Sequence, residues 1–217
     1  MIPVFGGSVT VRANAETGKS TNKNAREERM LSFSEAMINM RKLTEDYRKN
    51  VETADAVLRE EENFDLLKKT LRIGEDELTL YYLDGFIKDA VMQKLMLYLV
   101  SLKETGDDAR LFMERHLPHV ETDVTDDFDV LFQMVLSGTA ILFGSRFGGK
   151  GIVIDARTYP ARETAEPEGD KVMHGARDGF VETLIFNTAL IRRRIRDPEL
   201  TMTYLSVGKK SKTDVVL

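Results

Sequence analysis

The chain has 217 residues, 42% of them hydrophobic and 31% charged, a balance that suits one medium or two small globular domains and excludes a disordered polypeptide. Its 31 lysines and arginines against 36 aspartates and glutamates leave a net charge of −5, without the basic footprint that general nucleic-acid binding needs. It has no cysteine, hence no disulfide framework or thiol chemistry, and its most apolar run, Leu95–Val100, is far below the ~20 residues of a membrane-spanning helix.

Residues 1–29 are polar and lack periodicity beyond a short alternation over Ser8–Arg12, which predicts a mobile tail. Within it, Ala13-Asn-Ala-Glu-Thr-Gly18-Lys19-Ser20 matches the relaxed phosphate-loop pattern, with Asp155 as the candidate magnesium ligand at the end of a later strand. A phosphate loop needs a buried strand before it and a packed helix after it, so that backbone N–H groups converge on the phosphates. Here the preceding VTVRA is short and half polar, and the following TNKNAREER has no apolar face. A P-loop nucleotide-binding enzyme therefore stands only as an alternative.

Ser32-Phe-Ser-Glu35 is a capping box, and Met37, Met40, Leu43, Tyr47, Val51, Ala54 and Leu58 follow at three- and four-residue spacing, predicting a long helix over 33–61. Phe64–Ile73 and Leu78–Leu83 read as two strands joined by a tight turn at Gly74-Glu-Asp76. A helix over Lys88–Lys103 presents Val91, Met92, Leu95, Met96, Leu99 and Leu102, and a weaker one spans Asp107–His116. Val120–Val124 is a short strand. Thr125 caps a helix that buries Phe128, Leu131, Val135 and Leu136 and closes at Gly138. Thr139–Phe143 and Ile152–Asp155 form a second hairpin across a glycine-rich turn.

Two constellations look like metal sites. His116-Leu-Pro-His119, with Glu121 and Asp123, has suitable ligand types, but zinc wants three or four converging ligands and the proline breaks helical spacing. Asp123, Asp126, Asp127 and Asp129 evoke a calcium loop, yet Phe128 and Met134 stand where an EF-hand needs Gly and Glu. Helix capping explains these acids more simply, and neither a metal nor a cofactor is expected.

The segment 158–177 holds Pro160, Pro167 and many charges with no apolar stripe, which predicts a linker. RDGFVETLIFNTALIRRRIRDP, Arg177–Pro198, reads as an amphipathic helix. Asp178 caps it, Glu182 sits in its first turn, and Val181, Leu184, Ile185, Thr188, Ile191 and Ile195 make a buried stripe. Arg192, Arg193, Arg194 and Arg196 crowd its last turn and cannot all face one way at about 100° per residue. Arg192 is nearest the stripe and is expected to lay its stem there with its head outward. With Lys209 and Lys210 on the turn between strands Leu200–Val207 and Lys212–Leu217, the arginines make a candidate partner or lipid surface. From Arg192 onward seven basic residues meet three acidic ones, so this end is basic on an otherwise acidic chain. One helix and one hairpin bury little surface, so this end reads as truncated.

The stretch ARDGFVETLIFNTALIRRRIRDPELTMTYLSVGKKSKTDV resembles the N-terminal soluble region of the GerA-type spore germination proteins, which comprise germinant receptor A subunits and the stage V sporulation protein AF branch. The Arg-Asp-Gly-Phe-Val-Glu form at 177–182 is closer to the AF branch. The resemblance runs from Tyr47 to Leu217 and is strongest from Gly138 onward. It implies a non-enzymatic, cytoplasm-facing module of a spore inner-membrane protein, on the spore-core side, that assembles or regulates a membrane channel or receptor complex during germination. It implies other copies of the same protein and other germination membrane proteins as partners, attachment to the membrane through a missing C-terminal region, and a family role in nutrient-triggered ion and dipicolinic acid release.

The expected fold is mixed α/β. A tail at 1–29 precedes a first subdomain at 30–157, in which a long helix leads into a helix-covered sheet with two hairpins. The linker at 158–177 leads to the start of a second small α/β unit at 178–217. A small-ligand binding module, with its ligand between the two subdomains, is a further alternative, since domain interfaces commonly host pockets.

Overall fold

The computed structural model describes residues 42–87, 89–106, 108–117, 121–157 and 179–217. The expectations for the tail, the phosphate-loop motif, the Ser32–Glu35 capping box, the linker, the Asp178 cap and His119 lie outside these residues.

The first helix, α1, is Tyr47–Leu58, and its start is set by side chains. Asp46 caps it by accepting from the N–H groups of Arg48 and Lys49 at 3.0 and 3.4 Å. Asn50 closes the preceding loop by accepting from the Thr44 N–H and donating to the Thr44 carbonyl. The single helix expected over 33–61 is thus corrected: residues 42–46 are not helical, and 33–41 lie outside the described residues. Leu43 is buried as expected, but from the extended segment before the cap. Arg59, in the left-handed region at φ 48°, ends α1 and leads into a 3-10 turn at Glu60–Glu62.

Strands β1 (Leu66–Ile73) and β2 (Asp76–Leu83) form the first hairpin, with Ile73 paired to Asp76 across a two-residue turn. Gly74 takes φ +61° there, and a Cβ would lie 2.8 Å from the Lys103 carbonyl oxygen, so the position requires glycine. Helices α2 (Asp89–Ser101) and α3 (Ala109–His116) follow, then β3 (Glu121–Thr125), α4 (Phe128–Leu136), β4 (Ala140–Gly144) and β5 (Gly151–Asp155). The cap of α4 is Asp127, not Thr125: its carboxylate accepts from Asp129 and Val130, while the Thr125 hydroxyl accepts from the Asp127 N–H.

The five strands form one antiparallel sheet in the order β1-β2-β4-β5-β3. Alternation divides its core in two. Tyr81, Leu83, Ile141, Phe143 and Val153 face one side, where they meet Ala54 and Leu58 of α1 and Phe128, Leu131, Val135 and Leu136 of α4. Leu78, Leu80, Tyr82, Ala140, Leu142, Ile152 and Ile154 face the other, against Met92 and Leu99 of α2 and Ala109 and Phe112 of α3. The central strands are covered on both faces, which is why AILF and IVI are continuous apolar runs rather than alternating ones. The mixed α/β architecture read from the sequence is present.

The chain then forms α5 (Leu184–Arg194) and a hairpin of β6 (Tyr204–Val207) and β7 (Thr213–Val216), the latter two making a separate two-stranded sheet. No helix among the described residues is long and apolar enough to cross a membrane.

Candidate interaction surface and the buried Arg192 node

Helix α5 is shorter than its sequence pattern. It begins after Thr183, so Glu182 precedes it instead of lying in its first turn. Its N-terminal end is fixed by Asn187, which accepts from the Val181 N–H and donates to the Val181 carbonyl, both at 2.7 Å. It ends at Arg194, which places Arg196 beyond it, and Ile195, expected in the buried stripe, is exposed. Its buried residues are Thr188, Ala189 and Arg192.

Arg192 corrects the expectation most sharply. Its side chain is only 1% exposed, and its head points inward. Nε donates to Asp65 Oδ2 at 2.8 Å, one terminal nitrogen donates to both Asp65 Oδ1 and Asn63 Oδ1, and the other donates to the Leu200 carbonyl at 2.7 Å. The physical reason is position. Arg192 lies one turn beyond Thr188 on the buried face, and a buried guanidinium is tolerated where a carboxylate and further acceptors meet its fork. Arg192 therefore leaves the candidate surface.

The other basic residues stay on it. Arg193, Arg194, Arg196, Lys209 and Lys210 are all exposed. Arg194 also donates to the Leu190 carbonyl of its own last turn, which complements the negative end of the helix dipole. Lys209 and Lys210 sit on the turn between β6 and β7, where Gly208 takes φ +92° and Lys212 φ +46°. Helix α5 touches β7, the strand that follows this turn.

Three of the carboxylates weighed as metal ligands have other occupations. Asp127 caps α4, Asp126 pairs with Lys42 at 2.8 Å, and Asp123 accepts from the Val124 N–H. His116 contacts the Tyr98 hydroxyl at 3.0 Å through Nδ1, and burial, then Arg115, hold its ring below the ordinary histidine pKa. Asp155 is paired with Arg157, whose hydrogen bond holds the carboxyl below the usual carboxylate range against some desolvation.

One carboxylate escaped the sequence reading. Asp76 is 5% exposed, and it accepts from the Thr105 hydroxyl at 2.8 Å, the Thr105 N–H at 3.2 Å and Arg146 Nε at 2.6 Å. Burial pushes its pKa up, but these donors outweigh burial and hold it below the usual range. It ties the β1–β2 turn to the segment after α2 and to the loop after β4. An open cleft of about 590 Å³ beside this turn is lined by Asp46, Tyr47, Arg72, Glu75, Glu77 and Ser145 among others. A smaller one of about 270 Å³ lies between the end of α2 and α3, over Leu102, Leu111 and Phe112. Neither takes a residue from 179–217.

The described residues thus define an antiparallel sheet covered by helices on both faces, with a basic helix-and-hairpin segment fastened to it through a buried ion pair. The chain belongs to the GerA family of spore germination proteins: the family described as "Bacillus/Clostridium GerA spore germination protein" matches residues 53–217. It is 39% identical over 158 residues to stage V sporulation protein AF of Bacillus subtilis (strain 168), covering 70% of this chain and 31% of that protein. It is 30% identical over 173 residues to spore germination protein B1 of the same organism, covering 71% and 35%. The chain therefore spans about a third of the length of these curated relatives. Its fold is similar to the crystal structure of the N-terminal domain of the A subunit of the Bacillus megaterium spore germinant receptor GerK3, with TM-score 0.58 and 18% identity, covering 82% of this chain and 65% of that one.

Proposed function

We propose that this chain is a non-enzymatic, cytoplasm-facing module of a spore inner-membrane germination protein, and that it assembles or regulates a channel or receptor complex. The observation that carries the reading is the family match over 53–217, joined to a fold shared with a germinant receptor N-terminal domain. Its partners are other copies of the same protein and other germination membrane proteins. Membrane attachment comes through parts of the relatives' length that this chain does not span. The surface that meets a partner or anionic headgroups is Arg193, Arg194, Arg196, Lys209 and Lys210, since basic residues near an anionic surface contribute ~1 kcal/mol each.

The test replaces Arg193, Arg194 and Arg196 with Gln and measures binding to anionic vesicles in one arm and to germination membrane proteins from spores in another. Wild type should bind in at least one arm with strong salt dependence, and the variant should fold normally but bind weakly. Wild-type protein that ignores both at low salt contradicts the proposed surface.

A further inference from the structure

We infer that Arg192 is a latch that fastens the α5–β7 segment to the sheet as one releasable unit. The segment's apolar attachment is slight. Apart from Thr188, Ala189 and Arg192, Met202 is its one further fully buried residue among the described positions. Large apolar side chains remain outside, including Phe186, Ile195, Tyr204, Leu205 and Val207. One close packing contact is at Gly85, where a Cβ would lie 2.9 Å from Ile185 Cγ2 and 3.3 Å from Ala189 Cβ. Phe64 and Tyr204 also meet, with ring centroids 5.9 Å apart.

Against this thin seam stands a dense polar node. Arg192 holds Asp65 and Asn63, which lie just before the start of β1, and the Leu200 carbonyl of its own segment. Asn63 Oδ1 also accepts from the Met202 N–H at 2.8 Å, and the Phe64 N–H donates to the Met202 carbonyl at 3.1 Å. The node reaches further into the body. Asn63 Nδ2 donates to the Leu58 carbonyl at the end of α1, and the Asp65 carbonyl accepts from the Asp84 N–H just after β2. One side chain thereby joins the end of α1, the start of β1, the end of β2 and the approach to β6.

Such a joint behaves differently from an apolar seam. Apolar contacts tolerate small slides, whereas a planar guanidinium fork on a carboxylate admits one orientation. Neither charge is stable if it is left dry and alone, so Arg192 and Asp65 must separate and hydrate together. Opening is then all-or-none, and α5 leaves with the hairpin behind it. A segment with little buried apolar surface, held by one such joint, belongs to the low-stability end of the molecule and opens before the sheet.

Native-state hydrogen exchange of the 217-residue chain tests this. The amides of Phe64 and Met202 report the seam, those of Ala189 to Arg192 report α5, and those of Leu80 and Leu142 report the sheet. In wild type, the seam and α5 amides should share one opening that is more frequent than the sheet's. In Arg192→Lys, which keeps the charge but loses the fork, seam and α5 exchange should accelerate by a common factor of roughly ten- to a hundredfold, as expected for losing charge-assisted hydrogen bonds while the charge stays paired, with the sheet unchanged. If wild-type seam amides exchange only with the sheet, the latch is overturned without any variant. It is equally overturned if Arg192→Lys accelerates sheet and seam alike, or leaves the seam unchanged. Should Arg192→Lys fail to fold, the pair Arg192→Met with Asp65→Leu decides: the latch predicts a folded sheet whose seam and α5 amides no longer share one opening, and a preserved common opening contradicts it.

Discussion

Asp76 shows how a single side chain joins distant parts of this chain. Its carboxylate is shielded from water but faces three donors from two other segments, and these favour its charged form. Because the folded pKa lies below the ordinary value of about 3.9, the stability it contributes is fully present above that value and is lost as pH falls through the lower, folded one. Asp76→Asn removes the charge-assisted bond to Arg146 while keeping the shape. The expected loss is about 1.5–3 kcal/mol at pH 7, or roughly 5 °C in Tm for a chain of this size. Melting curves from pH 7 down to pH 2 check the sign, since the gap between variant and wild type should close as the pH falls. A gap that stays constant to pH 2 contradicts the assignment. Arg192 teaches a related lesson. Helical spacing placed it nearest the buried stripe, but nothing local to it names Asp65, 127 residues earlier, as the partner that makes inward burial possible.

The elements were legible where one local rule decides them. Strands β4 and β5 follow from short apolar runs flanking a glycine-rich turn, β1 and β2 from the tight turn at Gly74-Glu-Asp76 between them, and α4 follows from an acidic start and a glycine stop. The readings that failed are those in which periodicity continues past a break made by side chains. Leu43 lies one helical turn before Tyr47 in the pattern, yet Asp46 and Asn50 claim the backbone between them and start α1 afresh. Ile195 continues the α5 spacing, but the helix has already ended at Arg194. Gly138, which closes α4, is a position where sequence and structure agree for a testable reason. It takes φ +96°, and a Cβ there would lie 2.3 Å from the Phe86 ring. Gly138→Ala should therefore cost at least about 2 kcal/mol, with Tm falling by roughly 5 °C or more. An unchanged melting temperature contradicts this account of the α4–β4 corner.

For the molecule as a whole, charge and surface are unevenly divided. The body folds most of its apolar residues into two cores, one on each face of the sheet, although Leu97, Tyr98, Val100 and Leu111 stay outside, while the segment from α5 onward buries few residues and keeps apolar and basic side chains outside. The family and the receptor-domain fold give this division a context, and the proposed role in assembling or regulating a germination complex gives it a use. The basic residues were legible in the sequence as a cluster. That Arg192 alone turns its head inward was not, because its partner Asp65 lies far earlier in the chain. The most direct measurement is dipicolinic acid release after nutrient addition, in host spores carrying wild-type protein, no protein, or protein with Arg193, Arg194, Arg196, Lys209 and Lys210 changed to Gln. The account predicts that release slows without the protein and slows similarly in the five-residue variant at unchanged protein level. Release at the wild-type rate in spores lacking the protein contradicts the proposed function, and release at the wild-type rate in the variant alone contradicts the proposed surface.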